Sequence, residues 1–441
     1  MQTSRRTFIK SVATTAAMAP YILPSRIWSA EVSPNNKITM GFIGTGKMAK
    51  GLISGFIGRP EVKIVAVADV DASRRDFAKK NVDDYYKNSD CAVYSDFREL
   101  IARKDIDAVC IATPDHLHAF ITLASLKAGK DVYCEKPLTH NVHESIVIMD
   151  AVAATKRVLQ TGSQQRSSKE FRVACELVQN KIVGKIKYVD CAFGGPGKPC
   201  DLPEQPVPQG LDWDSWCGPA QLRPYNAELS PLGFPNFWAR WRNYKEFGGG
   251  GVSDFGAHHL DIVQWGLGMD ESGPVEVIAT STPEKNKGCK LVYANGVYVE
   301  HKDNFGIRFV GEDGEVLVNR GMFKLIIKGV THAHFESAEK TPGTSCEREI
   351  IKMEQQFLKD APIRLYNSKN HKVDFLECIK SRKKPITNEI VGGRSAICTQ
   401  LMNQSYYNKA SFKWDPIKCQ FAGGTGDPKW LTREYRKNWI V

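Results

Sequence analysis

Residues 40–43, Met-Gly-Phe-Ile, form an apolar run that stops at Gly44-Thr45-Gly46. Helical spacing follows, with Leu52, Ile53 and Phe56 recurring on one face. The pattern predicts strand, tight turn and helix, in which the helix N-terminus presents unpaired N–H groups to a pyrophosphate. Gly44 permits the turn, Gly46 lets the phosphates approach the backbone, and Ala49 takes the third small position, where helix and strand pack. Thr45, Lys47 and Met48 complete this candidate cofactor turn. A Gly-x-Gly-x-x-Ala match alone is weak, because short glycine patterns arise by chance. Its context decides.

The alternation of apolar runs and helical segments continues. Residues 62–68 read as a strand ending at Asp69, and Asp96 reads as the N-cap of a helix through Leu100. Strands at 107–112, 132–134 and 158–161 alternate with helices at 119–128 and 142–154. Such repetition predicts a doubly wound parallel sheet covered on both faces, with ligands bound beyond the carboxyl ends of its strands. Those ends carry Gly44, Asp69, Thr113-Pro114, Glu135-Lys136-Pro137 and Gly162-Ser163-Gln164. Asp69 follows Gly44 by 25 residues, close to the ~20 expected of the acid that binds a ribose hydroxyl. A carboxylate there repels a 2′-phosphate and favours NAD, while Arg74 and Arg75 keep NADP open.

Beyond residue 165 the pattern changes. Residues 187–193 read as a strand, and 196–235 are rich in Pro, Gly and Trp. Trp213, Trp216, Tyr225, Trp238 and Trp241 offer a carbohydrate-stacking surface, although packing of the loop is the simpler reading for any one of them. Arg240 and Tyr244 are candidate cleft residues. Segments 275–279, 290–294, 297–301, 304–310, 315–318 and 323–328 are β-like, with hairpin signals at Asn295-Gly296 and Asp313-Gly314. His332-Ala333-His334 fits one face of a strand better than a metal chelate. Helices are predicted at 373–379 and 395–404.

Charge and cysteine content exclude more than they assign. The formal charge is +11, but Arg5, Arg6, Lys10 and Arg26 lie in a leader without acids, and the remaining cations are scattered. A nucleic-acid role is therefore not expected. The twelve cysteines contain no Cys-x-x-Cys pair, and no metal site is predicted. Cys110 and Cys134 fall in apolar runs, whereas Cys200 and Cys217 flank the Pro-rich loop and are candidates for a disulfide in an oxidising compartment. Ser4-Arg5-Arg6-Thr7-Phe8-Ile9-Lys10, followed by a modestly apolar stretch, reads as a twin-arginine export signal occupying residues 1–30. That route moves folded proteins, so the expectation is a periplasmic protein that carries a tightly bound cofactor and has no integral membrane span.

With Thr113-Pro114-Asp115-His116-Leu117-His118 and Glu135-Lys136-Pro137, the chain resembles the Gfo/Idh/MocA oxidoreductases. Asp254-Phe-Gly-Ala-His258-His259-Leu-Asp261 matches their second signature, and Arg394, Trp414-Asp415-Pro416 and Tyr435-Arg436 are similar to the tail of exported members. The resemblance implies a Rossmann domain over 36–165. Over 166–441 it implies an α/β substrate domain with a large open antiparallel sheet, C-terminal helices and a role in homo-oligomerisation. It places the catalytic set on Lys136, Asp254 and His258, and cofactor contacts on Thr113, Pro114, His118, Glu135, Lys136 and Gln164 besides the glycine turn. His258 suits a base that removes a hydroxyl proton, and Lys136 suits stabilisation of the resulting oxygen charge. Asp254, one helical turn before His258, would orient the imidazole, bind a sugar hydroxyl or cap its helix. The implied activity is NAD(P)-dependent oxidation or reduction of a carbinol of a sugar, cyclitol or related polyol. The alternative is a glycoside hydrolase or lyase that uses bound NAD transiently.

Overall fold

The computed structural model describes residues 37–234, 237–303 and 306–439. The export signal expected within residues 1–30 lies outside them.

Six strands form the first sheet: β1 (Ile38–Ile43), β2 (Val62–Ala68), β3 (Ala92–Tyr94), β4 (Ala108–Ile111), β5 (Asp131–Cys134) and β6 (Leu159–Thr161). Their order is β3-β2-β1-β4-β5-β6, and every pairing is parallel. β4 and β5 are buried along their whole length, which explains why they read as unbroken apolar runs. Helices α1 (Lys47–Ile57), α2 (Ala72–Tyr86), α3 (Phe97–Ala102), α4 (Asp115–Lys127) and α5 (Val142–Thr155) link the strands. Asp71, Asp96 and Asn141 cap α2, α3 and α5 by accepting backbone N–H bonds. The turn between β1 and β4 sits at the point where strand order reverses, the crevice in which such sheets bind ligands.

After α6 (Lys169–Gln179) the chain enters a ten-stranded sheet at its middle through β7 (Ile186–Ala192). β8 (Glu276–Ile278), β9 (Lys290–Val292), β10 (Tyr298–Lys302), β11 (Ile307–Gly311), β12 (Gly314–Asn319), β13 (Met322–Ile327) and β14 (Val330–Phe335) follow, with β15 (Phe412–Asp415) and β16 (Gln420–Ala422) at one edge. The sheet is antiparallel except where β7 meets β10 in parallel. His332 and His334 lie in β14, as strand residues rather than as a metal chelate. Helix α7 (Trp213–Cys217) lies in the Trp-rich loop, and α8 (Gly250–Leu267) packs with α6 beside this sheet.

Two later segments return to the first sheet. Phe375, Leu376 and Cys378 of α10 (His371–Ser381), which follows α9 (Cys346–Met353), join the apolar layer of Phe42, Phe56 and Tyr133. Trp439 joins the opposite layer, beside Phe120 and Leu117. Helix α11 (Glu389–Asn408) packs against both α5 and α8.

Cys200 and Cys217 are free thiols within one aromatic cluster with Trp213, Trp216 and Tyr225. The expected disulfide is absent, and burial pushes the Cys217 thiol up to about 12, where it packs as a small apolar group. Cys110 and Cys134 are buried as predicted.

Candidate active site

At the end of β1 the chain turns through Gly44, whose φ is +78°. A Cβ there would lie 2.7 Å from Thr113 N, so both the left-handed backbone and the close approach of the next strand end require glycine. Gly46 differs. It is the N-cap of α1, has no side-chain cap, and a Cβ built on it would meet nothing within 4 Å. Bare helix-terminal N–H groups thus face open space, which fits a phosphate ligand.

That space belongs to a cavity of about 510 Å³ lined by Gly44, Gly46, Lys47, Met48, Asp69, Thr113, Pro114, His118, Glu135, Lys136 and Gln164, and also by Asp254 and His258. The five strand ends picked out from sequence therefore converge on one chamber. Thr45 is the exception. It is buried, and its N and Oγ1 donate to Asp69 Oδ2 at 2.6 and 3.1 Å. Asp69 Oδ1 accepts from Asp71 N at 2.9 Å, so this acid braces the glycine turn as well as facing the cavity. Arg74 donates to the carbonyl oxygens of Pro231 and Gly233, and Arg75 to that of Asp69. Both arginines kept open for a 2′-phosphate thus have backbone partners, and Arg74 also pairs with Asp71 and lines the cavity.

His118 Nδ1 and Nε2 lie 2.7 and 3.0 Å from the carbonyl oxygens of Pro137 and Thr113, so the ring ties two strand ends together behind the cavity wall. The Lys136–Pro137 peptide is cis. Gln164 donates to Glu135 Oε1 at 2.9 Å, and burial pushes the Glu135 carboxyl up to about 7. The Thr113 hydroxyl is buried at the cavity wall without a partner, a polar atom in want of a ligand.

α8 supplies the other wall. Its N-cap is Gly249, so Asp254 is not a capping residue. Lys136 Nζ donates to Asp254 Oδ1 at 2.5 Å and to the Asp254 carbonyl at 3.0 Å. Of the two roles proposed for Asp254 besides capping, orienting the imidazole is thus replaced by orienting the lysine. Burial acts to raise the Asp254 carboxyl, but Lys136, Arg242 and Arg320 outweigh it and hold it below its usual range. His258, one turn on, is 5% exposed, and its Nδ1 has no partner. Burial, reinforced by Lys136 and Arg320, holds its imidazole well below 6.5, so the ring is neutral at physiological pH. His259 points away, with Nδ1 2.7 Å from the Ala192 carbonyl.

Tyr244 is buried, its hydroxyl donating to Glu228, and Arg240 lies beside Glu228 at the surface. Neither lines the cavity. Their neighbour Arg242 does, because residues 240–243 form a 3₁₀ turn that separates its direction from that of Arg240. Trp213 and Tyr225 pack the loop, whereas Trp216, Trp238 and Trp241 reach the cavity wall. Asp115 and Phe255, which lie inside the two motifs without having been singled out, also face the cavity, as do Arg320 and Trp439, which no sequence pattern marked.

Strand order and the glycine turn together define a dinucleotide-binding α/β architecture, with a second sheet placing polar side chains against its nucleotide crevice. Residues 38–163 match the domain described as "Oxidoreductase family, NAD-binding Rossmann fold", and 180–441 match its "C-terminal alpha/beta domain". The chain belongs to the Gfo/Idh/MocA oxidoreductase family. It is 34% identical over 156 residues to an inositol 2-dehydrogenase/D-chiro-inositol 3-dehydrogenase of Shouchella clausii, covering 35% of this chain and 44% of that protein. A levoglucosan dehydrogenase of Pseudarthrobacter phenanthrenivorans is 29% identical over 192 residues, covering 43% of this chain and 40% of the relative. These matches span less than half of each relative's length. Among solved structures, levoglucosan dehydrogenase in complex with NADH shares the fold with a TM-score of 0.55 at 20% identity, over 85% of this chain and 98% of the other. Aldose-aldose oxidoreductase from Caulobacter crescentus, complexed with glycerol, does so with a TM-score of 0.56 at 18% identity, over 86% and 99%.

Proposed function

We propose that this protein is an NAD(H)-dependent oxidoreductase acting on a carbinol of a sugar, cyclitol or related polyol. The observation that carries the reading is the Lys136–Asp254 pair at 2.5 Å, set on the same chamber as the neutral, unpartnered His258 and the open N-terminus of α1. The dinucleotide would be held by the Gly44–Met48 turn, Asp69, and the strand ends at Thr113, Glu135 and Gln164. When bound, it supplies the hydride acceptor or donor.

The chain's own residues supply the proton chemistry. Two of the three Lys136 ammonium protons are spent on Asp254, which leaves one donor for a substrate oxygen. A neutral His258 has a lone pair ready to take the hydroxyl proton during oxidation, and returns it in reduction. Asp254 keeps the ammonium in place. Inositol and levoglucosan dehydrogenases among the relatives support the substrate class. The paired arginines at 5 and 6 support export to the periplasm, and a cavity walled by both sheets' layers supports tight retention of the cofactor. Homo-oligomerisation rests on the family resemblance.

Protein purified after export, then heat-denatured, is expected to release a nicotinamide nucleotide. Addition of sugars and cyclitols is expected to change nicotinamide absorbance, and Lys136→Ala to abolish that change while nucleotide binding persists. Release of no nucleotide would overturn tight retention. Glycosidic cleavage without net reduction, or an active Lys136→Ala enzyme, would overturn the mechanism.

A further inference from the structure

Past Lys136 and His258 the cavity wall becomes strongly cationic. Arg242 enters from the turn before α8, its guanidinium 4.2 Å from the Trp241 ring centre and 5.0 Å from that of Trp238. Its Nη1 donates to the Ala239 carbonyl at 3.1 Å, and its Nε lies 4.0 Å from Asp254 Oδ1. Arg320 arrives from the β12–β13 hairpin, 4.9 Å over the Phe255 ring, with Nη2 3.3 Å from Gln165 Oε1. Both side chains line the cavity.

Aromatic rings hold the faces of these guanidiniums and leave their edges, where all five N–H donors lie, for other partners. The carboxylate they share, Asp254, already accepts from Lys136. Burial pushes the two other carboxyls in this part of the wall up, Asp115 to about 8 and Glu135 to about 7, so they offset the cations only in part at neutral pH. Three cations, Lys136, Arg242 and Arg320, thus act on Asp254 and hold its carboxyl below the usual range. Arg242 is partly buried and Arg320 is exposed at the same cavity wall, and a neutral polyol would give neither a counter-ion.

We infer that the substrate carries an anionic oxygen group, a carboxylate or a phosphate, which Arg242 and Arg320 bind while its carbinol lies at Lys136 and His258. The inference rests on the oxidoreductase reading and narrows it from polyols in general to acidic carbohydrates. Guanidinium forks match both anions edge-on, and Lys cannot reproduce that geometry.

The test measures binding rather than turnover, so that it stands apart from the catalytic reading. NADH-loaded protein is titrated with matched sets of gluco, galacto and manno configuration, each set comprising a neutral methyl hexoside, its 6-carboxylate and its 6-phosphate, and followed by calorimetry. One anion of at least one set is expected to bind about tenfold or more tightly than its neutral partner. That preference is expected to weaken as salt is raised, and to fall in Arg242→Gln and Arg320→Gln while NADH affinity is kept. A preference for the 6-carboxylate identifies an acid sugar, and one for the 6-phosphate a sugar phosphate. Equal or tighter binding of the neutral hexosides, binding of no anion, or a preference unchanged in both variants would overturn the inference. Failure of NAD-loaded protein to oxidise the sugar that binds would instead count against the oxidoreductase reading.

Discussion

His258 and Lys136 divide one job between them, and their surroundings set the division. Burial and two neighbouring cations keep the imidazole neutral, whereas Asp254 fixes the position of the ammonium. His258→Asn is expected to lower kcat by about 10²–10⁴-fold, as for loss of a positioned acid–base group, with NADH affinity unchanged by titration. Because the folded pKa of His258 lies below 6.5, the acid limb of kcat/KM is expected below that pH, in a profile measured from pH 4.5 to 9. A limb centred at or above 6.5 would remove His258 as the base. This residue was legible in sequence through the signature running from Asp254 to Asp261, by which the chain resembles its family. Arg242 and Arg320 were not. One lies in a 3₁₀ turn and the other in a hairpin, where direction depends on how a loop packs rather than on any period.

At the scale of elements, the two glycines of the β1–α1 turn have different duties and predict different failures. Gly44→Ala places a methyl group 2.7 Å from Thr113 N at a φ of +78°, and is expected to cost about 1–3 kcal/mol of stability, read as a lower thermal midpoint. Gly46→Ala meets no protein atom and should leave that midpoint nearly unchanged while weakening NADH binding, read by fluorescence titration. Equal behaviour of the two variants in both assays would contradict this separation. The parallel strands were readable because burial on both faces turns them into apolar runs between turn residues. β15, β16 and α9 went unread, being short edge or surface elements whose residues are chosen by neighbours distant in sequence. The parallel pairing of β7 with β10 inside an otherwise antiparallel sheet has no local signature, since register along a strand does not encode its partner's direction.

For the molecule as a whole, buried ionisable groups make stability depend on pH in two opposed ways. Burial holds His116 down to about 3 and His118, His259 and His371 down to about 4. Their contribution is full above the unfolded value of about 6.5 and is lost as pH falls toward those folded values, because only the unfolded chain takes up the protons. Asp115 and Glu135, raised by burial to about 8 and about 7, act in the other sense. Theirs is full below about pH 4 and is lost as pH rises through 7 and 8. The histidines outnumber the carboxyls, so the thermal midpoint is expected to climb from pH 5 to about 6.5 and then to decline toward pH 8.5, measured by scanning calorimetry. A steady climb through pH 8 would show that Asp115 and Glu135 are ionised in the fold.

The first sheet and its cavity also draw on residues far downstream. Phe375 packs with Phe56 and Tyr133, and Trp439, 4.6 Å from the Arg98 guanidinium and 4.9 Å from Phe120, forms part of the cavity wall. Synthesis proceeds from one end, and domains commonly fold as they emerge. Here the ribosome has made every glycine and strand of the six-stranded sheet by residue 164, long before residues 371–439 exist. Until then one apolar layer lacks its cover and the nucleotide chamber lacks a wall. The complete nucleotide chamber therefore exists only after Trp439 has been translated, and not at the emergence of the glycine turn.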